Sequence, residues 1–175
     1  MKKADKIVYL VLFLLLIAVA VLTLINRGDK VLRDALRDNR EFLVRVNGEY
    51  AATVTMKELI GLGPEEFTTN FATSISAPRE AAFRGVELRL LLDLLDIDTD
   101  GASHIVVSGL DSYYSPLSAA EARQEGKIYV CFSMDGEALK TQGEGGYGPF
   151  LMVIRDTPFA MRWCKYVEAI DVIME

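Results

Sequence analysis

The chain opens on its least polar stretch. Residues 7–25 read IVYLVLFLLLIAVAVLTLI, nineteen positions without a charge. As a helix rising 1.5 Å per residue, this run spans roughly 28 Å, close to the hydrocarbon thickness of a bilayer. A helix buried in a water-soluble domain would carry a polar stripe at a period of 3.6 residues, and none is visible here. The pattern predicts one transmembrane helix over 7–25, behind a basic tail over 1–6 that carries Lys2, Lys3 and Lys6. A cleaved secretory signal shares these features. However, the run ends at Thr23-Leu24-Ile25-Asn26-Arg27, without the small residues of a cleavage site, and Ala18-Val19-Ala20 lies inside the apolar core. An uncleaved anchor is the expectation.

Residues 26–41 read as a juxtamembrane spacer. Charges of both signs alternate around Val31, Leu32, Ala35 and Leu36, and pairs such as Lys30 and Asp34 fall at i,i+4, which suits a short helix. Basic residues flank the anchor on both sides, so charge alone does not orient it. A tail this short is most simply left in the cytoplasm. The expectation is a single-pass cell-membrane protein with its soluble domain, residues 42–175, outside the cytoplasm.

From residue 42 the pattern shortens to a period of two. Phe-Leu-Val-Arg-Val over 42–46 meets Asn47-Gly48, a tight-turn signal, and 50–54 supplies the returning strand. Thr55 and Glu58 have capping-box spacing before a short helix over 56–62. Residues 67–75 should be extended. Phe83-Arg84-Gly85 reads as a turn into a helix over 86–95, whose Val86, Leu88, Leu91, Leu92 and Leu95 make an apolar face widened by Leu90 and Leu94. Strands follow over 104–109, 128–134, 150–154 and 163–173, with a helix opened by Ser118 and Glu121 and ending near Gly126. Residues 141–148, Thr-Gln-Gly-Glu-Gly-Gly-Tyr-Gly, look the most flexible. Strands outnumber helices and hairpins mix with helical crossovers, so the expected class is α+β with a mixed β-sheet.

Composition narrows the functions. The net charge is −6 from 19 basic and 25 acidic residues, and mean hydropathy is +0.21, much of it from the anchor. Without residues 1–25 the net charge is −8, which opposes nucleic-acid binding. Two cysteines, Cys131 and Cys164, and one histidine, His104, leave almost nothing for a zinc site. The cysteines are read as buried, unpaired thiols, with a disulfide as the alternative outside the cytoplasm. No catalytic or metal-ligating residue is assigned. The ligand-binding candidates are Tyr113, Tyr114, Gly145, Gly146, Tyr147 and Arg162. The tyrosines would stack on a ligand, while the glycine amides and Arg162 would meet an anion. The plainer readings are half-buried loop aromatics, a flexible connection that lacks the Lys-Ser/Thr of a P-loop, and a solvated strand end. His104, before a strand, reads as a surface or structural residue, and Trp163 as core.

The order of several short motifs resembles the oxidoreductase molybdopterin-binding domain, the sulfite oxidase-like fold. Phe83-Arg84-Gly85-Val86-x-Leu88-x-x-Leu91-Leu92 is similar to its GV-x-L-x-x-LL motif. Gly109-Leu110-Asp111-Ser112-Tyr113 resembles its G-x-DGY turn, with Ser112 in place of the glycine, and Met134-Asp135-Gly136-Glu137-x-Leu139 its NG-x-x-L element. Gly148-Pro149-Phe150-Leu151-Met152-Val153 and Arg162-Trp163-Cys164-Lys165-Tyr166-Val167-x-x-Ile170 resemble its last two segments. The likeness spans residues 42–173 and implies a mixed-sheet domain of that type. It also implies a molybdenum–pterin cofactor, held in catalytic members by a cysteine thiolate in the extended segment before the GV-x-L motif. Here that segment, 66–83, holds Thr68, Thr69, Asn70, Thr73, Ser74 and Ser76 but no cysteine. A hydroxyl does not replace a thiolate's charge donation to a metal. The expected function is therefore a membrane-anchored, non-catalytic domain that binds a small ligand or a partner protein. Molybdopterin is implied by the resemblance alone. The alternatives are a molybdenum–pterin-dependent oxidoreductase and an interaction module without a pocket.

Overall fold

The computed structural model describes residues 3–73, 76–157 and 160–175. The chain divides into two compact units, Met1–Ala35 and Leu36–Glu175. Helix α1, Lys3–Asn39, makes up the described part of the first and enters the second. The short juxtamembrane helix expected over the spacer is the continuation of α1, because its i,i+4 charge pattern favours the same conformation as the apolar run. Large apolar side chains between Tyr9 and Leu22 are exposed, Leu16 at 69%. Among the described residues no helix is long and apolar enough to cross a membrane. Within α1 the side chains of residues 9–23 are described, so the expected span over 7–25 runs past them at both ends and is not supported by them.

The second unit is built from two five-stranded sheets rather than one. The first has the order β2-β1-β10-β5-β6, from β1 (Glu41–Val46), β2 (Glu49–Thr55), β5 (Ala102–Gly109), β6 (Tyr114–Leu117) and β10 (Val167–Met174). It is mixed: β1 and β10 run parallel, and every other pair is antiparallel. The second sheet contains β3 (Glu65–Thr73), β4 (Ser76–Glu87), β7 (Ile128–Met134), β8 (Glu137–Ala138) and β9 (Leu151–Ile154), with β8 and β9 both on the same strand, β7. One hydrophobic cluster draws on both sheets, including Phe42, Val44, Val107 and Ile170 from the first and Phe83, Val130 and Met152 from the second. Phe42 meets Phe150 edge-on at 5.0 Å between ring centres. Leu36 is buried with Leu43 and Ala169, so the last turns of α1 belong to the domain.

Local signals place several elements as expected. Asn47 and Gly48 take the left-handed conformation (φ 53 and 80) that a two-residue hairpin demands. Helix α2, Met56–Gly61, starts on a full capping box: Glu58 N donates to the Thr55 hydroxyl at 3.2 Å, and the Glu58 carboxylate accepts from Thr55 N at 2.8 Å. Of the extended segment expected over 67–75, Ser74 and Ile75 lie outside the described residues. The final strand begins at Val167, not Trp163, because Tyr166 takes a left-handed φ of 54 and, before it, Cys164 makes only an isolated bridge to Met152.

The turn expected at Phe83-Arg84-Gly85 is a strand. β4 runs through Glu87, and helix α3 is confined to Leu88–Leu94, with Leu88, Leu91 and Leu92 buried and Leu94 53% exposed. Gly85 is there because β7 comes close: a Cβ at this position would lie 2.6 Å from Val130 O and 2.8 Å from Cys131 Sγ. Strand β6 is an unforeseen edge strand that contains Pro116, which pairs opposite Val106. Helix α4 is a single short segment, Ala119–Arg123, capped by the Ser118 hydroxyl, and stops before Gly126.

Candidate functional site

Three of the candidates gather where β5 turns into β6. Gly109 N donates to Tyr113 O, Ser112 N donates to Gly109 O, both at 2.9 Å, and the Asp111 carboxylate accepts from Tyr113 N at 3.2 Å. Segment 161–166 presses on this turn: Leu110 N donates to Tyr166 O at 2.9 Å, and a Cβ on Gly109 would overlap Lys165 O. The Tyr113 hydroxyl donates to Met161 O, and Tyr114 stands 61% exposed. Arg162 is not available to a bound anion. Its guanidinium grips Glu121 through two bonds, of 2.9 and 2.8 Å, and reaches Pro116 O at 3.2 Å, while Arg162 O accepts the Ser115 hydroxyl at 2.6 Å.

The glycine-rich stretch is braced. The Glu144 carboxylate accepts from Thr141 N and its hydroxyl at 2.9 and 2.8 Å around a 3-10 turn, Gln142–Glu144. Gly145 N donates to Gln142 O, Gly146 N to Thr141 O and Gly148 N to Lys140 O, at 3.0, 2.9 and 2.7 Å. With these amides spent inside the loop, Gly145 and Gly146 do not cradle a phosphate. They do line a cleft of about 210 Å³ with Tyr147, Met134, Glu137 and Lys140. The Tyr147 ring packs on Phe71 at 5.3 Å and carries the Lys165 ammonium 4.7 Å from its centre. Tyr113, Tyr114 and Arg162 are not part of this cleft. Tyr166 links the two groups through its backbone, donating from N to Tyr147 O at 3.1 Å while its carbonyl accepts from Leu110 N.

A molybdenum–pterin group finds no accessible cysteine among the described residues. Cys131 and Cys164 are free and fully buried. Burial pushes the Cys131 thiol well above its ordinary value, and burial with the Asp111 charge pushes Cys164 up to about 12. Both are thiols at neutral pH and sit within the hydrophobic cluster, with no exposed surface to offer a metal. In the β3–β4 hairpin, the inward positions are Phe67, Phe71 and Phe83, whose rings pack on Tyr129 (4.3 Å) and Trp163 (5.8 and 5.6 Å). Among the described residues no group of three or more His, Cys, Asp or Glu is placed to hold a metal ion. The Nδ1 atom of His104 lies 2.6 Å from the Ser103 hydroxyl at the surface, with no carboxylate bonded to the ring among the described residues.

Sequence reasoning missed Glu121 as the partner of Arg162. Its spacing from Ser118 suggests a reciprocal cap, but only Glu121 N makes that bond, at 3.1 Å, and the carboxylate turns to Arg162 instead. The Arg162 hydrogen bonds hold the Glu121 carboxyl below its ordinary value, while partial burial works against them. A carboxyl depressed in the folded state contributes stability that is present above its unfolded pKa of about 4.3 and fades as the pH falls through the folded value. Arg162→Met should cost about 1–3 kcal/mol near neutral pH by leaving a half-buried carboxylate unpaired. It should also flatten the acid limb of the stability–pH curve below about pH 5. Urea denaturation across pH checks both; an acid limb identical to wild type would show that the pair contributes nothing.

Comparison with known proteins agrees with this architecture. The family model of the oxidoreductase molybdopterin binding domain matches residues 34–175. Among solved structures, the sulfane dehydrogenase SoxCD from Paracoccus pantotrophus superposes with a TM-score of 0.60 at 15% identity, over 77% of this chain and 38% of that one. The fold is therefore shared, and the chain spans well under half the length of that relative. No match is found among curated proteins. Two sheets around one core, glycines where strands and turns meet most closely, and a family match over the whole of the second unit lead to one assignment: the chain belongs to the oxidoreductase molybdopterin binding domain family.

Proposed function

We propose that this chain is a membrane-tethered, non-catalytic member of the family, which works outside the cytoplasm by binding a small ligand or a partner protein. The observation that carries the reading is the donor set. The extended segment where catalytic members present their thiolate has phenylalanines facing inward, and both thiols of the chain are protonated in the core. The Tyr147 cleft, at about 210 Å³, is smaller than the usual ligand pocket of about 300–1,000 Å³, so a bound molecule would be small. The exposed apolar side chains between Tyr9 and Leu22 support the tether, since water disfavours such a surface and lipid accepts it.

The full chain, produced in molybdate-supplied cells, tests the reading. It should pellet with membranes, keep residues 1–25 in its intact mass, and contain no more molybdenum than a protein without a metal site. Near-stoichiometric molybdenum would make a molybdenum–pterin oxidoreductase the better reading. A mature chain starting beyond residue 25 would remove the tether.

A further inference from the structure

The second sheet ends in an open edge. β3 runs nine residues, Glu65–Thr73, and pairs only with β4. Among the described residues, no other element hydrogen-bonds to its free side. Proteins usually blunt such edges with charge, proline, irregularity or shortness. Two other edges here follow that rule: β6 is four residues long and contains Pro116, and β8 has two residues, whereas in β3 the only irregularity is a register shift against β4 at its end, between Phe71 and Thr73. The centre of β3, Phe67-Thr68-Thr69-Asn70-Phe71-Ala72, has no charge, proline or glycine.

We propose that β3 is the seam of a homodimer, pairing antiparallel with β3 of a second copy about a two-fold axis at Thr69. Its central five residues, Phe-Thr-Thr-Asn-Phe, are close to symmetric about that residue, so in a two-fold pair each phenylalanine meets a phenylalanine and each small polar residue another. With Thr69 opposite its own copy, Phe67 faces Phe71 of the second chain and Thr68 faces Asn70. Both phenylalanines are buried on the core side, and Thr68 and Asn70 lie exposed on the other, so the register keeps like faces together. Moving the axis by one residue to Thr68 or Asn70 places each phenylalanine opposite a different residue type and loses the aromatic pairs. The charges also agree. Glu65 and Glu66 fall opposite Thr73 and Ala72 of the second copy, so no two carboxylates meet in a chain that is acidic overall. A seam of one strand buries less than the 1,200–2,000 Å² or so of a standard interface, so the association is of modest strength. The inference does not depend on the binding role or on the tether.

Cysteine cross-linking of the full chain in detergent tests it. Residues directly opposite in an antiparallel pair have Cα atoms about 4.5–5.5 Å apart, within disulfide reach. Under mild oxidation Thr69→Cys should form a reducible dimer at least about tenfold faster than Thr53→Cys on the edge strand β2, because pairing holds the thiols at high effective concentration. A mixture of the Thr68→Cys and Asn70→Cys chains should link to each other faster than either links to itself. The buried native thiols should stay silent. Sedimentation of the wild type should show a dimer that grows with concentration. Equal linking rates for Thr69→Cys and Thr53→Cys, or a wild type that stays monomeric at every concentration reached, would overturn the proposal. An edge occupied by another protein's strand would produce the first of these results.

Discussion

Gly85→Val should abolish cooperative folding of the domain or cost it more than about 4 kcal/mol, the range reserved for severe overpacking at a buried site. The cause is the distance between two strands, not a turn. Gly85 sits where the register of β4 against β7 shifts, directly opposite Cys131. A Cβ there would lie 2.6 Å from Val130 O, 2.7 Å from Cys131 Cα and 2.8 Å from Cys131 Sγ. Two of these are backbone atoms of Val130 and Cys131, both fully buried, so relief requires moving β7 together with β9, which pairs along it. Valine adds two more carbons to that overlap. Domains of this size hold only about 5–15 kcal/mol of net stability, so the loss is a large fraction of the total. Gly61→Ala is the control, since a Cβ there meets nothing within 4 Å and its φ is not positive. Ser112→Gly should leave stability unchanged or raise it by up to about 1 kcal/mol, because Ser112 is held at φ 65 where glycine is unstrained. Thermal denaturation followed by circular dichroism measures all three. A Gly85→Val domain that melts with the wild type would mean that β4 and β7 are not in this contact.

What was legible in the sequence was local. Asn47-Gly48 fixes its hairpin through the left-handed φ of two adjacent residues, and Thr55 with Glu58 fixes the start of α2 within one turn. β4 was not legible because its first half, Ser-Ala-Pro-Arg-Glu-Ala, has no alternation of its own. It is extended because β3 pairs along it and because Asp135, on the turn after β7, accepts from Ala82 N at 3.0 Å and Arg79 at 2.7 Å. The surroundings of the candidate site residues were hidden for the same reason. Arg162 looks like a free cation until Glu121, 41 residues away, is brought to it. The glycine loop looks flexible until its amides find acceptors inside the loop, and Tyr166, bonded to both Tyr147 and Leu110, ties that loop to the turn after β5. The family likeness survived these errors, since its motifs mark places where this backbone is crowded: Gly85 against β7, Gly109 against Lys165, and Gly148 against Leu139.

Trp163→Ala should destabilise the domain by about 3–5 kcal/mol, as expected when a large aromatic is deleted from a core. Trp163 is 6% exposed and lies between two rings, stacked on Phe71 at 5.8 Å and edge-on to Phe83 at 5.6 Å. Its indole N–H donates to Ile154 O at 3.1 Å, the last residue of β9. Truncation therefore opens a void between the β3–β4 hairpin and the chain's final segment, and it leaves a buried carbonyl without its donor. Trp163→Phe refills most of the void and should recover more than half of the loss, leaving the unpaired carbonyl and a smaller gap. Because Trp163 is the sole tryptophan, circular dichroism in urea is the appropriate probe, and the slope of the transition should stay unchanged. The experiment also decides between two descriptions of this corner of the fold. If the aromatic cluster is structural core, stability falls in proportion to the volume removed, and no added pterin restores it. If the rings line a pocket that closes only in the absence of a ligand, Trp163→Ala should cost little, under about 1 kcal/mol, because the site would already tolerate rearrangement. The packing of Phe71 and Phe83 on a single indole, with Tyr147 behind Phe71, favours the first outcome, and with it a domain that needs no cofactor to fold.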